Sequence, residues 1–194
     1  AYLLVEQFLK RDISFEDYPI LVRLNPNIPW KTRGNGAVSL KFSTEDPEKA
    51  YEEACTIVSK YSEIENQANP GVVMSTIDPP NIDISNFAET ALSEVVSRRE
   101  AISLMKRHNI RYRGWGKQRG LIGALAAIGS LLYNDSTFEL IAFRSKANWG
   151  IRRLVDDNSV INMSQKTYPY TFNCYDEEKQ RVLITPRGSD PVLL

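Results

Sequence analysis

The sequence is poor in histidine and cysteine and carries no net charge, and each shortage removes a class of chemistry. His108 is the only histidine in 194 residues. With no second imidazole and no thiol near it, His108 reads as a helix C-terminal residue favoured by the dipole, not as a general base. Cys55 and Cys174 lie far apart with no other cysteine beside either. That spacing excludes a zinc site of the usual CxxC type. A reducing, cytoplasmic setting is the simplest reading, with one long-range disulfide still open. No apolar run approaches the ~20 residues that a membrane-spanning helix needs, and no signal peptide is visible. Lys and Arg number 24, matched by 24 Asp and Glu, so global charge says nothing about partners.

Local charge does. Residues 98–119 hold eight cations, Arg98, Arg99, Lys106, Arg107, Arg111, Arg113, Lys117 and Arg119, against the single acid Glu100. Residues 45–65 lean the other way, with seven acids against Lys49 and Lys60. Such a split makes a basic face able to meet a polyanion. Within it, "RYRGWGKQRG" interleaves Arg111, Arg113, Lys117 and Arg119 with Tyr112 and Trp115. Cations alternating with aromatics suit an unstacked base and its phosphates, although most basic loops are only solvated.

Periodicity predicts helix 1–11, strand 18–25, loop 26–35, strand 36–43, helix 47–62 and strand 71–77. Asp46 with Pro47 is the start signal of the second helix, and Ala50, Ala54, Ile57, Val58 and Tyr61 form its apolar stripe. One strand placed before residue 1 turns this order into βαββαβ. The chain opens inside a helix without Met or N-cap and stops inside a strand-like run, so both ends read as cut. "DPPNIDI", 78–84, is the candidate linker. Helices follow at 85–96 and 98–108, the latter announced by Ser97 and Glu100 as a capping box. A basic loop, 109–119, leads to helix 120–132, "GLIGALAAIGSLL", which is apolar or small on every side and therefore buried. Arg119 and Gly120 open it, where a helix start favours an anion. Beyond lie a strand at 137–144, a long polar loop, and strands near 181–186 and 191–194. Tyr168, Tyr170 and Phe172 alternate as one strand face would. The fold expected is α+β: two consecutive ferredoxin-like units, the first missing its opening strand, divided as 1–78 and 79–194.

The connection "NIPWKTRGNGAV" holds more than a hairpin needs. Asn35 and Gly36 alone would make the turn. Lys31, Thr32, Arg33 and Gly34 add point charge, forked charge and a backbone open to close approach. That is the composition of a phosphate site, though not a Walker A sequence, and equally that of an exposed basic turn.

"LVRLNPNIPWKTRGNGAV", "ANPGVV", "RGLIGALAAIGS", "FELIAFR" and "YPYTF" occur in the order found in one family. The chain resembles the archaeal 2-agmatinylcytidine synthetases (TiaS), which attach agmatine to the wobble cytidine of the AUA-decoding isoleucine tRNA. The resemblance implies a kinase-like nucleotide part followed by a ferredoxin-like, agmatine-binding part. It implies ATP as the activating substrate and a divalent metal, magnesium, held by residues outside this chain. The family's acidic Asp-Asp-x-Asp strand, Gly-rich loop and catalytic Thr have no counterpart here, so the catalytic groups are expected upstream of Ala1. Nor is there a counterpart of its C-terminal nucleic-acid-binding fold and zinc ribbon. On this reading Lys31, Thr32, Arg33, Gly34, Asn35, Gly36 and Asn69 bind ATP, and Glu139 with Asp190 bind agmatine. Arg111, Arg113, Trp115, Lys117 and Arg119 bind tRNA, and the fragment alone is inactive. The competing expectation is a non-catalytic RNA-binding module that uses loop 109–119.

Overall fold

The computed structural model describes residues 1–11, 13–31, 34–78, 80–130, 156–169 and 174–182. These fall into two compact units, Ala1–Asn134 and Asp135–Leu194. The architecture is α+β, with helices and small antiparallel two-stranded sheets. The expected division at 78/79 lies inside the first unit.

The first unit opens with α1 (Tyr2–Leu9), which carries no side-chain cap. A long antiparallel ribbon follows. Its inner part pairs β2 (Ile20–Arg23) with β3 (Gly36–Ser39), and its outer part pairs β1 (Ser14–Phe15) with β4 (Phe42–Ser43). Residues 16–19 face only 40–41 across the ribbon, so it bulges between the two ladders. Phe8 packs edge-on against Phe42, with ring centroids 5.0 Å apart, and stacks near Phe15 at 6.3 Å. This aromatic trio ties α1 to the outer ribbon.

Helix α2 (Pro47–Tyr61) starts where Asp46 accepts a hydrogen bond from the Lys49 amide at 3.0 Å. It buries Ala50, Tyr51, Ala54 and Cys55, while Tyr61 is exposed. The inward stripe is therefore rotated from the one expected through Ile57, Val58 and Tyr61, because Tyr51 turns inward beneath Arg111 and Arg113. β5 (Gly71–Met74) pairs antiparallel with β6 (Arg111–Gly114), and α3 (Ile82–Ser93) and α4 (Arg98–Arg107) lie between them in the chain. The linker expected over 78–84 is thus shorter. Asn81 already caps α3 by accepting from the Asp83 amide at 2.9 Å. The basic loop expected over 109–119 is likewise half strand.

Helix α5 (Gly120–Gly129) is the hub, touching α3, α4 and strands β2, β3, β5 and β6. Leu121, Leu125 and Ala126 are wholly buried, and the main core gathers around them with Val22, Ile84 and Met105. The crossing with α3 is close because Gly129 has no side chain. A Cβ there would stand 2.7 Å from that of Ala88 and on top of the Ile84 carbonyl.

In the second unit, the stretch 145–180, expected to be one polar loop, contains α6 (Asp157–Thr167) and a small hairpin. Asp156 caps α6 through the Asn158 amide at 3.0 Å, and β7 (Tyr175–Asp176) pairs with β8 (Arg181–Val182). The Lys179 ammonium sits 3.2 Å from Asp176, whose carboxyl is held below its ordinary range chiefly by the Lys179 backbone N–H. Tyr168 ends α6 and is exposed, so it does not form a strand face on a core. Tyr170, Phe172 and the strands expected at 137–144 and 191–194 lie outside the described residues. So do Thr32, Arg33, Glu139 and Asp190.

A candidate cleft between β3 and β5

Strand β3 is paired on one side by β2, and β5 on one side by β6. Their other edges flank a cleft of about 1250 Å³. Its floor is α5, through Gly120, Ile122, Gly123 and Ala127, and its opposite wall comes from Leu4 and Phe8 of α1 with Ala50, Ala54 and Val58 of α2. The strands point the same way along it. Lys41, just beyond β3, is ion-paired at 2.7 Å to Asp78, just beyond β5. At the other end, α5 meets Gly71 through Gly120, and Ala37 through Gly123. The walls are apolar and the ends are charged.

The rim where β3 and β5 begin is built by Trp30, Lys31, Asn35, Asn69, Lys117 and Arg119, with Arg98 beside them. The turn that carries Trp30 and Lys31 is braced from below. Asn25, buried, donates from Nδ2 to the Ser93 carbonyl at 2.8 Å and accepts from the Asn27 amide at 2.9 Å. Asn35 has a left-handed backbone, φ 41°, a conformation its short side chain tolerates. Its Nδ2 donates to the Asn25 carbonyl at 2.7 Å, and its own carbonyl accepts from the Leu24 amide at 2.8 Å. The end of the Arg23 side chain lies over Gly34, where a Cβ would displace the guanidinium. Asn25 and Arg23 are the members of this turn that the residue pattern did not single out. Asparagine next to proline was the available signal for the first.

Asn69 is bound at both ends. Its Nδ2 donates to the Gln67 carbonyl at 2.7 Å, and its Oδ1 accepts from the Lys117 amide. Its backbone carbonyl accepts from the Gly120 amide at 2.8 Å. The first amide of α5 is therefore already engaged, and it is the Arg119 side chain that helix start contributes to the rim. Asn69 thus sets the position of Lys117 and Arg119. Asn69→Ala is expected to cost about 1 kcal/mol of stability, the usual net worth of a hydrogen bond, and to speed amide exchange at Lys117 by roughly tenfold or more. Exchange unchanged at Lys117 would remove the bracing role.

The remaining basic residues separate into two groups. Arg111 and Arg113 alternate with Tyr112 on β6, so they share one face. Arg113 grips Glu52 with both guanidinium nitrogens, at 2.8 and 3.0 Å, Arg111 pairs with Glu48, and both lie over the Tyr51 ring. The acids of 45–65 and the cations of 98–119 thus partly neutralise each other across α2 and β6. Burial pushes the Tyr51 phenol and the Cys55 thiol up. Cys55, 1% exposed and neutral, is no nucleophile. Lys117 is exposed, and Arg98 donates to its carbonyl at 2.8 Å. Trp115 is half-buried, its amide bonded to the Pro70 carbonyl at 3.1 Å. His108 ends α4 and meets Asp83 at 3.0 Å, a structural contact away from the cleft. Among the described residues, no three His, Cys, Asp or Glu side chains cluster as a metal set, no disulfide forms, and no helix is long and apolar enough to cross a membrane.

Two family models match the chain: the TiaS TCKD domain over residues 3–51 and the TiaS FLD domain over residues 118–194. The isoleucine-tRNA 2-agmatinylcytidine synthetase TiaS of Cenarchaeum symbiosum is 42% identical over 194 residues, 99% of this chain and 42% of the relative. The enzyme of the same name from Pyrococcus horikoshii is 44% identical over 92% of this chain and 42% of its own length. The crystal structure of a complex of TiaS with its isoleucine tRNA and ATP superimposes with a TM-score of 0.79 at 32% identity, over 99% of this chain and 45% of that one. A complex of TiaS with the same tRNA, AMPCPP and agmatine gives 0.77 at 31% identity, over 99% and 46%. The chain spans less than half the length of these relatives.

Proposed function

The chain belongs to the TiaS family, and on that premise we propose that it is the nucleotide- and amine-handling part of a cytoplasmic, tRNA-modifying, ATP-dependent ligase. ATP activates the C2 carbonyl of the wobble cytidine of an isoleucine tRNA, and the primary amine of agmatine then attacks C2. Residues 1–78 serve the nucleotide together with Arg98, Lys117 and Arg119, and the remainder of 79–194 serves the amine through Glu139 and Asp190. The observation that carries the reading is the cationic rim of the β3–β5 cleft. Lys31, Lys117, Arg98 and Arg119 converge there from three separate parts of the chain. Phosphoryl transfer needs such groups on the phosphate oxygens. The described residues offer no matching carboxylate set, so the magnesium ligands are assigned outside them and nothing in this reading is routed through the metal. The rival, RNA-binding reading is weakened by Arg111 and Arg113, which are engaged with Glu48 and Glu52. The test is ATP turnover by the full-length protein. It is expected only with both tRNA and agmatine present, whereas tRNA binding without saturable ATP or agmatine binding would favour the module.

The cleft also supports a finer reading of the fold. Two parallel strands with facing free edges, apolar walls and helices on both sides leave a place for one strand, antiparallel to both. A strand upstream of Ala1 in the longer polypeptide fills it in this proposal, giving the order β2–β3–strand–β5–β6 and the βαββαβ unit. Such a strand would end at the cationic rim, where the family's acidic cluster is needed. Amides of β3 and β5 that exchange freely in residues 1–194 are expected to become protected in the full-length protein. Equal exchange in both would rule the strand out.

A further inference from the structure

Resting on the ligase reading, we propose that Trp30, with Arg119 behind it, is a stacking platform for a nucleobase at the mouth of the cleft. Trp30 is 63% exposed. An indole normally hides most of its apolar area, so one held in water at the edge of a cleft needs a reason. This one is not held there by chance of a loose loop. Its turn is fixed by Asn25 and Asn35, and the Arg119 guanidinium carbon stands 5.9 Å from the ring centroid. Arg119 comes from the start of α5, so the two halves of the pair are delivered by different parts of the fold. A guanidinium on one side of an indole leaves the other side as a flat apolar surface. Lys31 follows Trp30 directly and lines the same rim, as does Lys117. A flat face beside cations is the arrangement that takes a base together with its own phosphate. The shared chemistry is a nucleotide, whether the adenosine of ATP or an unpaired residue of RNA.

The test measures equilibrium binding of ATP, inorganic tripolyphosphate and tRNA to the full-length protein, as wild type, Trp30→Ala and Trp30→Phe. Loss of one stacked base is expected to weaken Trp30→Ala by roughly 5- to 150-fold, with Trp30→Phe retaining most of the affinity and tripolyphosphate binding unchanged. Loss confined to ATP identifies the base as adenine, and loss confined to tRNA identifies it as an RNA base. Unchanged affinity for both overturns the platform. So does an equal loss of tripolyphosphate binding, which would show that Trp30 merely shapes the Lys31 turn. Wild-type protein that binds tRNA but neither ATP nor tripolyphosphate would defeat the ligase reading instead, while a Trp30→Ala loss of tRNA binding would still support the platform.

Discussion

Gly129→Leu is expected to abolish cooperative folding of the 1–134 unit, and Gly129→Ala to lower its stability by roughly 1–3 kcal/mol, the usual range for overpacking. The reason lies in what the new atoms would meet. At Gly129 a Cβ falls on the Ile84 carbonyl and 2.7 Å from the Ala88 Cβ, so α3 and α5 must move apart. That loosens the core that Ile84 and Leu125 share, where each is at most 1% exposed. Gly120 is as constrained, with the Gly71 amide nitrogen at 2.6 Å and the Pro70 carbonyl carbon at 2.7 Å. Gly123 is the internal control on the same helix. A Cβ there meets only the end of Leu24 at 3.1 Å and the Ala37 Cβ at 3.5 Å. A leucine tip can rotate away, and alanine gains about 1 kcal/mol of helix propensity over glycine. Gly123→Ala is therefore expected within about 1 kcal/mol of wild type, because those two effects oppose each other. Denaturation midpoints of the alanine variants at 120, 123 and 129 decide it. A Gly129→Ala midpoint no lower than that of Gly123→Ala would mean that the close approach of α3 at Gly129 does not limit the helix, since propensity alone favours alanine at both sites. Native proteins hold ~5–15 kcal/mol in reserve, so the leucine variant is the one that removes the fold.

Helix α5 was the most legible element because its composition leaves no polar side to put in water. Its burial, and with it the core, could be read from "GLIGALAAIG" alone. The ribbon and α2 were legible for the same kind of reason: alternation in the first, and an Asp-Pro start in the second. What escaped was information that resides in partners. "RYRG" alternates with a period of two, yet its charges concealed a strand. The two arginines on this sheet face meet Glu48 and Glu52, and that pairing is invisible along the chain. The same partners rotated the stripe of α2 by drawing Tyr51 inward beneath the two guanidiniums. Helix α6 has a cap but a mostly polar composition, so "DNSVINMSQKT" carried no strong period. At the rim, composition pointed to Lys31 and Arg119, but not to Trp30 as their companion or to Asn25 as their brace. A hydrogen bond from residue 25 to residue 93 leaves no local signature.

Lys31→Ala and Arg119→Ala in the full-length protein are each expected to lower kcat/KM for ATP by about 10- to 100-fold, with little change in stability. The magnitude follows from losing one charge-assisted hydrogen bond to a phosphate, worth roughly 1.5–3 kcal/mol. The neutrality toward folding follows from position: both side chains are exposed at the rim. Neither belongs to the main core. The double variant is expected to lose about 10²- to 10⁴-fold if the two cations act on separate oxygens. A double loss no greater than either single loss would mean that they grip the same one. Arg119→Lys separates charge from geometry. An ammonium keeps the charge but gives up the planar fork and the stack on Trp30, so it should restore only part of the activity. Because the groups act by attraction to an anion, the losses should shrink as salt rises and screens the wild-type advantage. Full ATP turnover in both single variants, at low salt, would detach the cationic rim from the nucleotide and leave the cleft as a seat for a strand alone.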